Sequence, residues 1–172
     1  FIDRIKNGEN VLDVGCGNGS VAISIAKEFL NSKIIGIDIN KDNIQFANKK
    51  LKENDLKNLI FINGDINQQN GISSDVVILS NILEHIDNRI SFLKNIKDLT
   101  GANKFLIRVP YFKRDWQIAF RKEIGVYYFS DNDHKIEHTI EELKKELIQA
   151  NFIMEETIII WGEIWTTCKY EI

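Results

Sequence analysis

The sequence predicts an α/β fold: a doubly wound, mostly parallel sheet of seven strands with one reversed strand. Three observations carry this expectation. Short apolar runs alternate five times with segments of helical period. The runs are almost continuously apolar, as strands covered on both faces must be. The last two runs are separated only by a tight turn, so they must be antiparallel to each other, because a parallel pair needs a long crossover. At 172 residues the chain reads as a single domain, 1–172.

The elements follow in order. Residues 10–14 (NVLDV) form a β-rich run ending in glycines, and 20–30 carry Ala22, Ile25, Ala26 and Phe29 at helical spacing. Residues 33–39 (KIIGIDI) are a second buried strand, followed by a helix over 41–54 with Ile44, Ala47 and Leu51 on one face. Residues 59–63 (LIFIN) and 75–80 (DVVILS) are the third and fourth strands. Asp87 can cap a helix carrying Ile90, Leu93 and Ile96. Residues 104–109 (KFLIRV) are a fifth strand, stopped by Pro110. A short helix is expected over 116–124. Thr139 with Glu142 is a capping box opening a helix with Ile140, Leu143, Leu147 and Ile148. Two strand-like runs, 153–160 and 164–170, close the chain around Gly162.

Composition excludes several classes. With 27% charged and 44% hydrophobic residues, the chain is neither disordered nor a membrane protein in bulk. No run is long enough to span a membrane, and no signal peptide is visible. The net charge of −3 disfavours a dedicated binder of long nucleic acid. Cys16 and Cys168 offer neither a disulfide framework nor zinc-ligand spacing, which predicts reduced thiols in a cytoplasmic setting.

The sharpest motif follows the first strand: Val11-Leu12-Asp13-Val14-Gly15-Cys16-Gly17-Asn18-Gly19. Ligands of such sheets sit outside the carboxyl ends of the strands, and three glycines there allow close approach of backbone to a ligand. Asp38 ends the second strand, where a carboxylate can accept from both hydroxyls of a ribose. The spacing is G-x-G-x-G, not the dinucleotide G-x-G-x-x-G, and an acidic Asp13 precedes the loop. A pyrophosphate would be repelled there, whereas an ammonium group would be attracted. An NAD-dependent oxidoreductase is therefore disfavoured.

This segment resembles motif I of class I S-adenosylmethionine-dependent methyltransferases, and the resemblance covers nearly the whole chain. It implies the Rossmann-like methyltransferase fold and S-adenosyl-L-methionine as cofactor, with S-adenosyl-L-homocysteine as product. It implies that Gly15, Cys16, Gly17 and Gly19 hold the methionine part near Asp13, and that Asp38 binds the ribose. Gly64-Asp65-Ile66 looks like the adenine site, with Asp65 accepting from the exocyclic amine and Ile66 packing on the ring. Ile39 and Ser80, at the carboxyl ends of the second and fourth strands, complete the expected cofactor set. Leu83-Glu84-His85 after the fourth strand resembles motif IV of the branch that methylates small molecules and lipids.

Methyl transfer from a sulfonium needs alignment of the nucleophile, removal of its water and, for O–H or N⁺–H acceptors, loss of a proton. Glu84, His85 and His134 are the candidate catalytic groups. Asn81, Tyr111, Trp116, Tyr128 and Trp161 are the candidate substrate residues. The insertion over 111–137 is rich in aromatics and is expected to cover the substrate site. Cys16 reads as a loop residue, not a nucleophile, and His138 as an exposed helix entry. The expected partner is a small-molecule methyl acceptor; oligomeric state is not encoded in any motif.

Two rivals stand beside this reading. Glu84-His85 with Asp131-Asn132-Asp133-His134 resembles the metal motifs of small-RNA terminal ribose 2'-O-methyltransferases, but the first expected Glu falls at Asn81. The chosen expectation is therefore no metal. The other rival is a non-catalytic module that binds cofactor or partner and transfers nothing.

Overall fold

The computed structural model describes residues 1–171. Seven strands form one sheet in the order β3-β2-β1-β4-β5-β7-β6, with β1 Val11–Val14, β2 Ile34–Asp38, β3 Leu59–Asn63, β4 Val76–Ser80, β5 Lys104–Pro110, β6 Phe152–Ile160 and β7 Glu163–Tyr170. β1 pairs in parallel with β2 and β4, β2 pairs in parallel with β3, and β6 pairs antiparallel with β7. The predicted fold class stands: a mostly parallel sheet with β7 reversed. The helices are α1 Ser20–Glu28, α2 Lys41–Asn54, α3 Arg89–Thr100, α4 Trp116–Glu123 and α5 Ile140–Gln149. No described helix is long and apolar enough to cross a membrane.

Burial explains the strand sequences. β1 is buried throughout and β4 nearly so, which is why both are continuously apolar. The edge strands differ: Ile60 on β3 and Ile153, Ile158 and Ile159 on β6 are substantially exposed, so their apolar runs do not mean cover on both faces. The described chain forms two compact units, Phe1–Ser80 with Asn95–Leu106, and Asn81–Lys94 with Ile107–Ile172. The first unit has a core of Val11, Ala22, Ile25, Ile34, Ile78 and Leu106 among others.

Local signals hold at most helix ends. Asn40 caps α2 by accepting from the N–H groups of Asp42 at 2.9 Å and Asn43 at 3.1 Å. The capping box of α5 is complete. Two expectations need correction. α3 begins at Arg89, so the cap position falls on Asn88, whose carbonyl accepts from the Phe92 N–H, and not on Asp87. Ile148 is exposed, and α5 buries Leu143 and Leu147 instead, because the helix period carries Ile148 off the inner face.

Candidate functional site

The glycine loop belongs to the first unit. Gly15, Gly17 and Gly19 all have positive φ, of 66°, 51° and 76°. Gly19 is also a packing requirement: a Cβ there would collide with the Phe61 ring and stand 3.0 Å from the Cβ of Ala47. Gly17 is the opposite case, since a Cβ would meet nothing within 4 Å. The loop is therefore tight beneath Gly19 and open at Gly17. Gly36 on β2 belongs to the same arrangement, with Phe61 and the Cys16 Sγ occupying the space of a Cβ. A lone glycine inside a strand was the available signal for it.

Asp38 fixes this loop. Its Oδ2 accepts from the Gly17 N–H at 2.8 Å and its Oδ1 from the Asn40 N–H at 2.8 Å. Each carboxylate oxygen keeps further acceptor capacity for a hydroxyl. Asn63 clamps the same strand end, donating to the carbonyls of Asp38 and Ile39 at 3.0 Å each. Asp13 is buried on β1. Burial, reinforced by the charges of Asp13 and Asp38, pushes the Cys16 thiol far above its ordinary range, so it stays protonated. This agrees with a loop residue that is not a nucleophile.

The remaining cofactor candidates differ in exposure. Ile39 is 78% exposed beyond β2, and Ser80 is half-buried at the end of β4. Asp65 uses Oδ1 to accept from the N–H of Asn67 at 2.9 Å, closing a turn. Ile66 is buried and lines a cavity of about 240 Å³ with Asn95, Ile96 and Leu99.

In the second unit the chain leaves β4 through Asn81, which has a φ of 56°. Asn81 donates its Nδ2 to Glu163 at 3.2 Å, while its buried Oδ1 has no partner among the described residues. Leu83–His85 follows as one 3-10 turn. Glu84 is 1% exposed and neither carboxylate oxygen has a hydrogen-bond partner. Burial is the main cause that pushes its carboxyl up to about 7, with repulsion from Glu137 adding to it.

The fold brings the three catalytic candidates together. One donor atom each of Glu84, His85 and His134 lies within 4.8 Å of the others, a spacing that could hold a metal ion. The His85 and His134 rings meet edge to face with centroids 4.7 Å apart. His85 Nδ1 stands 3.0 Å from Asp133, and His134 Nδ1 is hydrogen-bonded to Glu137 at 3.1 Å. The 131–135 loop is tied to the same place by Lys135 N–H donating to the Glu84 carbonyl at 2.7 Å.

Glu137 was missed by the sequence reading because nothing in its neighbourhood marks a buried acid. Its carboxylate accepts from Arg114 at 2.7 Å, the Ser130 N–H at 2.8 Å and the Ser130 hydroxyl at 2.9 Å. Burial alone would raise this carboxyl, but these donors and His134 outweigh it and hold it down to about 2. His138 is a correction: it is fully buried, not exposed, and its Nε2 lies 3.1 Å from Glu146. Glu146 also takes a two-nitrogen clasp from Arg89, so the residue before the cap is tied to a part-buried ion pair.

The aromatic candidates separate. Tyr128 and Trp161 line a cavity of about 530 Å³. Tyr111 is half-buried and donates its N–H to the Gly162 carbonyl at 2.9 Å. Trp116 is 72% exposed and lies outside that lining.

Comparison with known proteins gives a family and a fold. The methyltransferase-domain family matches residues 5–167. Pavine N-methyltransferase of Thalictrum flavum subsp. glaucum is 31% identical over 94 residues, covering 54% of this chain and 26% of that protein. Ribosomal protein L11 methyltransferase of Thermotoga maritima is 31% identical over 118 residues, covering 69% and 43%. The chain thus spans less than half the length of these curated relatives. Magnesium protoporphyrin IX methyltransferase of Synechocystis PCC 6803, solved with bound SAH, superposes with a TM-score of 0.76 at 20% identity, over 96% of this chain and 75% of that one.

Proposed function

The chain belongs to the methyltransferase-domain family, and from that premise we propose that it transfers a methyl group from S-adenosylmethionine to an oxygen or nitrogen of a small molecule. The single observation that carries the cofactor half is the Asp38–Gly17 clasp, which sets a carboxylate beside a loop that is open at Gly17. A ribose needs such an acceptor, and the open space at Gly17 lets the loop backbone come close to a ligand. The residues present therefore fit this cofactor. Asp13, Gly15, Cys16, Gly17, Gly19, Asp38, Ile39, Asp65, Ile66 and Ser80 would hold it. When bound, its sulfonium supplies a methyl group already activated for in-line displacement.

The chain's own residues then have to position an acceptor and take its proton. His134 is suited to the second task. Glu137 is ionised above about pH 2 and can only accept, so the bond between them puts the proton on Nδ1 and leaves Nε2 as the basic nitrogen. Glu84 and His85 complete the catalytic group, and Asn81 offers its unpartnered Oδ1 to a donor on the acceptor. Tyr128 and Trp161 supply its apolar surroundings with Tyr111 held beside them through Gly162, while Trp116 stands outside that lining, and we read 111–137 as the segment that covers it. We assign the reaction no metal, the chain one catalytic domain, and the protein a cytoplasmic place on the strength of two free cysteines.

The test is calorimetric titration with S-adenosylmethionine and S-adenosylhomocysteine, followed by transfer of labelled methyl to candidate acceptors. Both ligands should bind, and Asp38→Ala should weaken them at least about tenfold. Absence of binding by the unaltered chain overturns the reading. Binding without transfer to any acceptor would favour the non-catalytic module.

A further inference from the structure

We propose that Asn70-Gly71 is a self-modification site, where the main-chain nitrogen of Gly71 attacks the Asn70 side-chain amide and turns it into a carboxylate, while the fold restrains the three other Asn-Gly pairs of the chain. The inference is independent of the methyl-transfer reading.

The sequence holds four such pairs: Asn7-Gly8, Asn18-Gly19, Asn63-Gly64 and Asn70-Gly71. Glycine in second place favours the attack, because no Cβ crowds the nitrogen and the backbone turns freely. The dipeptide itself does not distinguish the four. Their surroundings do.

Three are restrained at the nucleophile. The Gly8 N–H donates to the hydroxyl of the buried Ser32 at 3.0 Å, the Gly19 N–H to the Cys16 carbonyl at 2.9 Å and the Gly64 N–H to the Asp38 carbonyl at 3.0 Å. An N–H in a hydrogen bond must leave it before the nitrogen can lose its proton and reach a new carbon. Two of these pairs are restrained at the amide as well. Asn18 Oδ1 accepts from the Ser20 hydroxyl at 2.6 Å and the Ser20 N–H at 3.2 Å. Asn63 ends β3 and spends Nδ2 on the carbonyls of Asp38 and Ile39.

Asn70-Gly71 has neither restraint. It lies between the Ile66–Gln68 turn and β4, and both residues are exposed. Neither the Asn70 amide nor the Gly71 N–H has a hydrogen-bond partner among the described residues. A Cβ on Gly71 would meet nothing within 4 Å, so the space around the pair is open. An exposed loop without such ties samples the cyclising geometry most often.

The step needs only water. The Gly71 nitrogen gives up its proton and bonds to Asn70 Cγ, the Cγ–Nδ2 bond breaks, and ammonia leaves a five-membered imide. Water then opens the ring at either carbonyl. Opening at Cγ gives aspartate; opening at the main-chain carbon gives isoaspartate, with the chain routed through Cβ. Nothing is oxidised or reduced. Each product adds one negative charge to the loop that begins with Asp65 and Ile66.

The experiment incubates the folded 172-residue chain at mildly alkaline pH and follows all four pairs by peptide mass mapping, with fragmentation that separates aspartate from isoaspartate. Asn70 should convert at least about fivefold faster than any other, the factor that one ordinary hydrogen bond supplies. In guanidinium chloride that advantage should collapse. Asn70→Gln should remove the fast conversion, and Ser32→Ala should speed Asn7 without changing Asn70. Equal or faster conversion of Asn7, Asn18 or Asn63 in the folded chain would overturn the inference. So would an Asn70 advantage that persists in guanidinium chloride, or a product with aspartate and no isoaspartate, which means direct hydrolysis without Gly71.

Discussion

His134 Nδ1 is hydrogen-bonded at 3.1 Å to Glu137 Oε1, a carboxylate whose side chain has no solvent exposure. Replacing Glu137 with Gln keeps the shape but lets the amide donate to Nδ1, which removes the reason for Nε2 to be the basic nitrogen. Transfer of labelled methyl should fall about 100-fold in kcat, with KM and S-adenosylhomocysteine affinity little changed. Unaltered kcat would remove His134 from the proton-transfer role.

Glu137 is also a stability element. Its carboxyl lies at about 2 in the folded chain against 4.5 for a free Glu, so its contribution is fully present above about pH 4.5 and is lost as pH falls toward 2. Arg114→Met strands this buried charge and should cost about 3–5 kcal/mol at pH 7. Thermal melts should show the deficit shrinking below pH 4.5 as the lone carboxyl protonates.

Glu84 has the opposite sign. Its carboxyl is raised to about 7 from 4.5, so the folded chain binds more protons than the unfolded chain between those values. Stability therefore falls as pH rises from 4.5 to 7, and the penalty is complete above 7. Glu84→Gln should melt higher than the unaltered chain at pH 8, by an amount of order 3 kcal/mol, and the gain should vanish near pH 4.5. Its transfer rate should drop, because a group with this carboxyl range is suited to proton transfer near neutrality.

Gly19→Ala and Gly17→Ala separate packing from conformation. Both place a Cβ at positive φ, costing about 1–2 kcal/mol. Only at Gly19 does the Cβ also drive into Phe61. Gly19→Ala should lose considerably more stability in denaturant melts, while Gly17→Ala should chiefly lose S-adenosylhomocysteine affinity.

Removing divalent ions should leave transfer unchanged. Glu84, His85 and His134 are close enough to hold an ion, but Asn81 stands in the sequence where a second carboxylate would add charge, and a sulfonium methyl needs no Lewis acid. A rate lost in EDTA and restored by Mn²⁺ would reverse this assignment.

Much of this was legible residue by residue. The glycine loop, Asp38 and the capping box of α5 are local devices whose requirements are written in adjacent positions. The cluster of Glu84, His85 and His134 joins segments some fifty residues apart, and in the sequence only the resemblance to a metal motif put its members side by side. His138 was misread because a His before a helix cap looks exposed until Arg89 and Glu146, from two other segments, close over it.

By itself the sequence determined the alternation of strands and helices, the reversed last pair and the loop able to receive a nucleoside. These depend on periodicity, turn length and glycine, which act over a few residues. Tertiary structure alone decided the electrostatics. Whether a carboxyl lies near 2, as Glu137 does, or near 7, as Glu84 does, depends on which donors the fold brings to it, and burial without donors raises what burial with donors lowers.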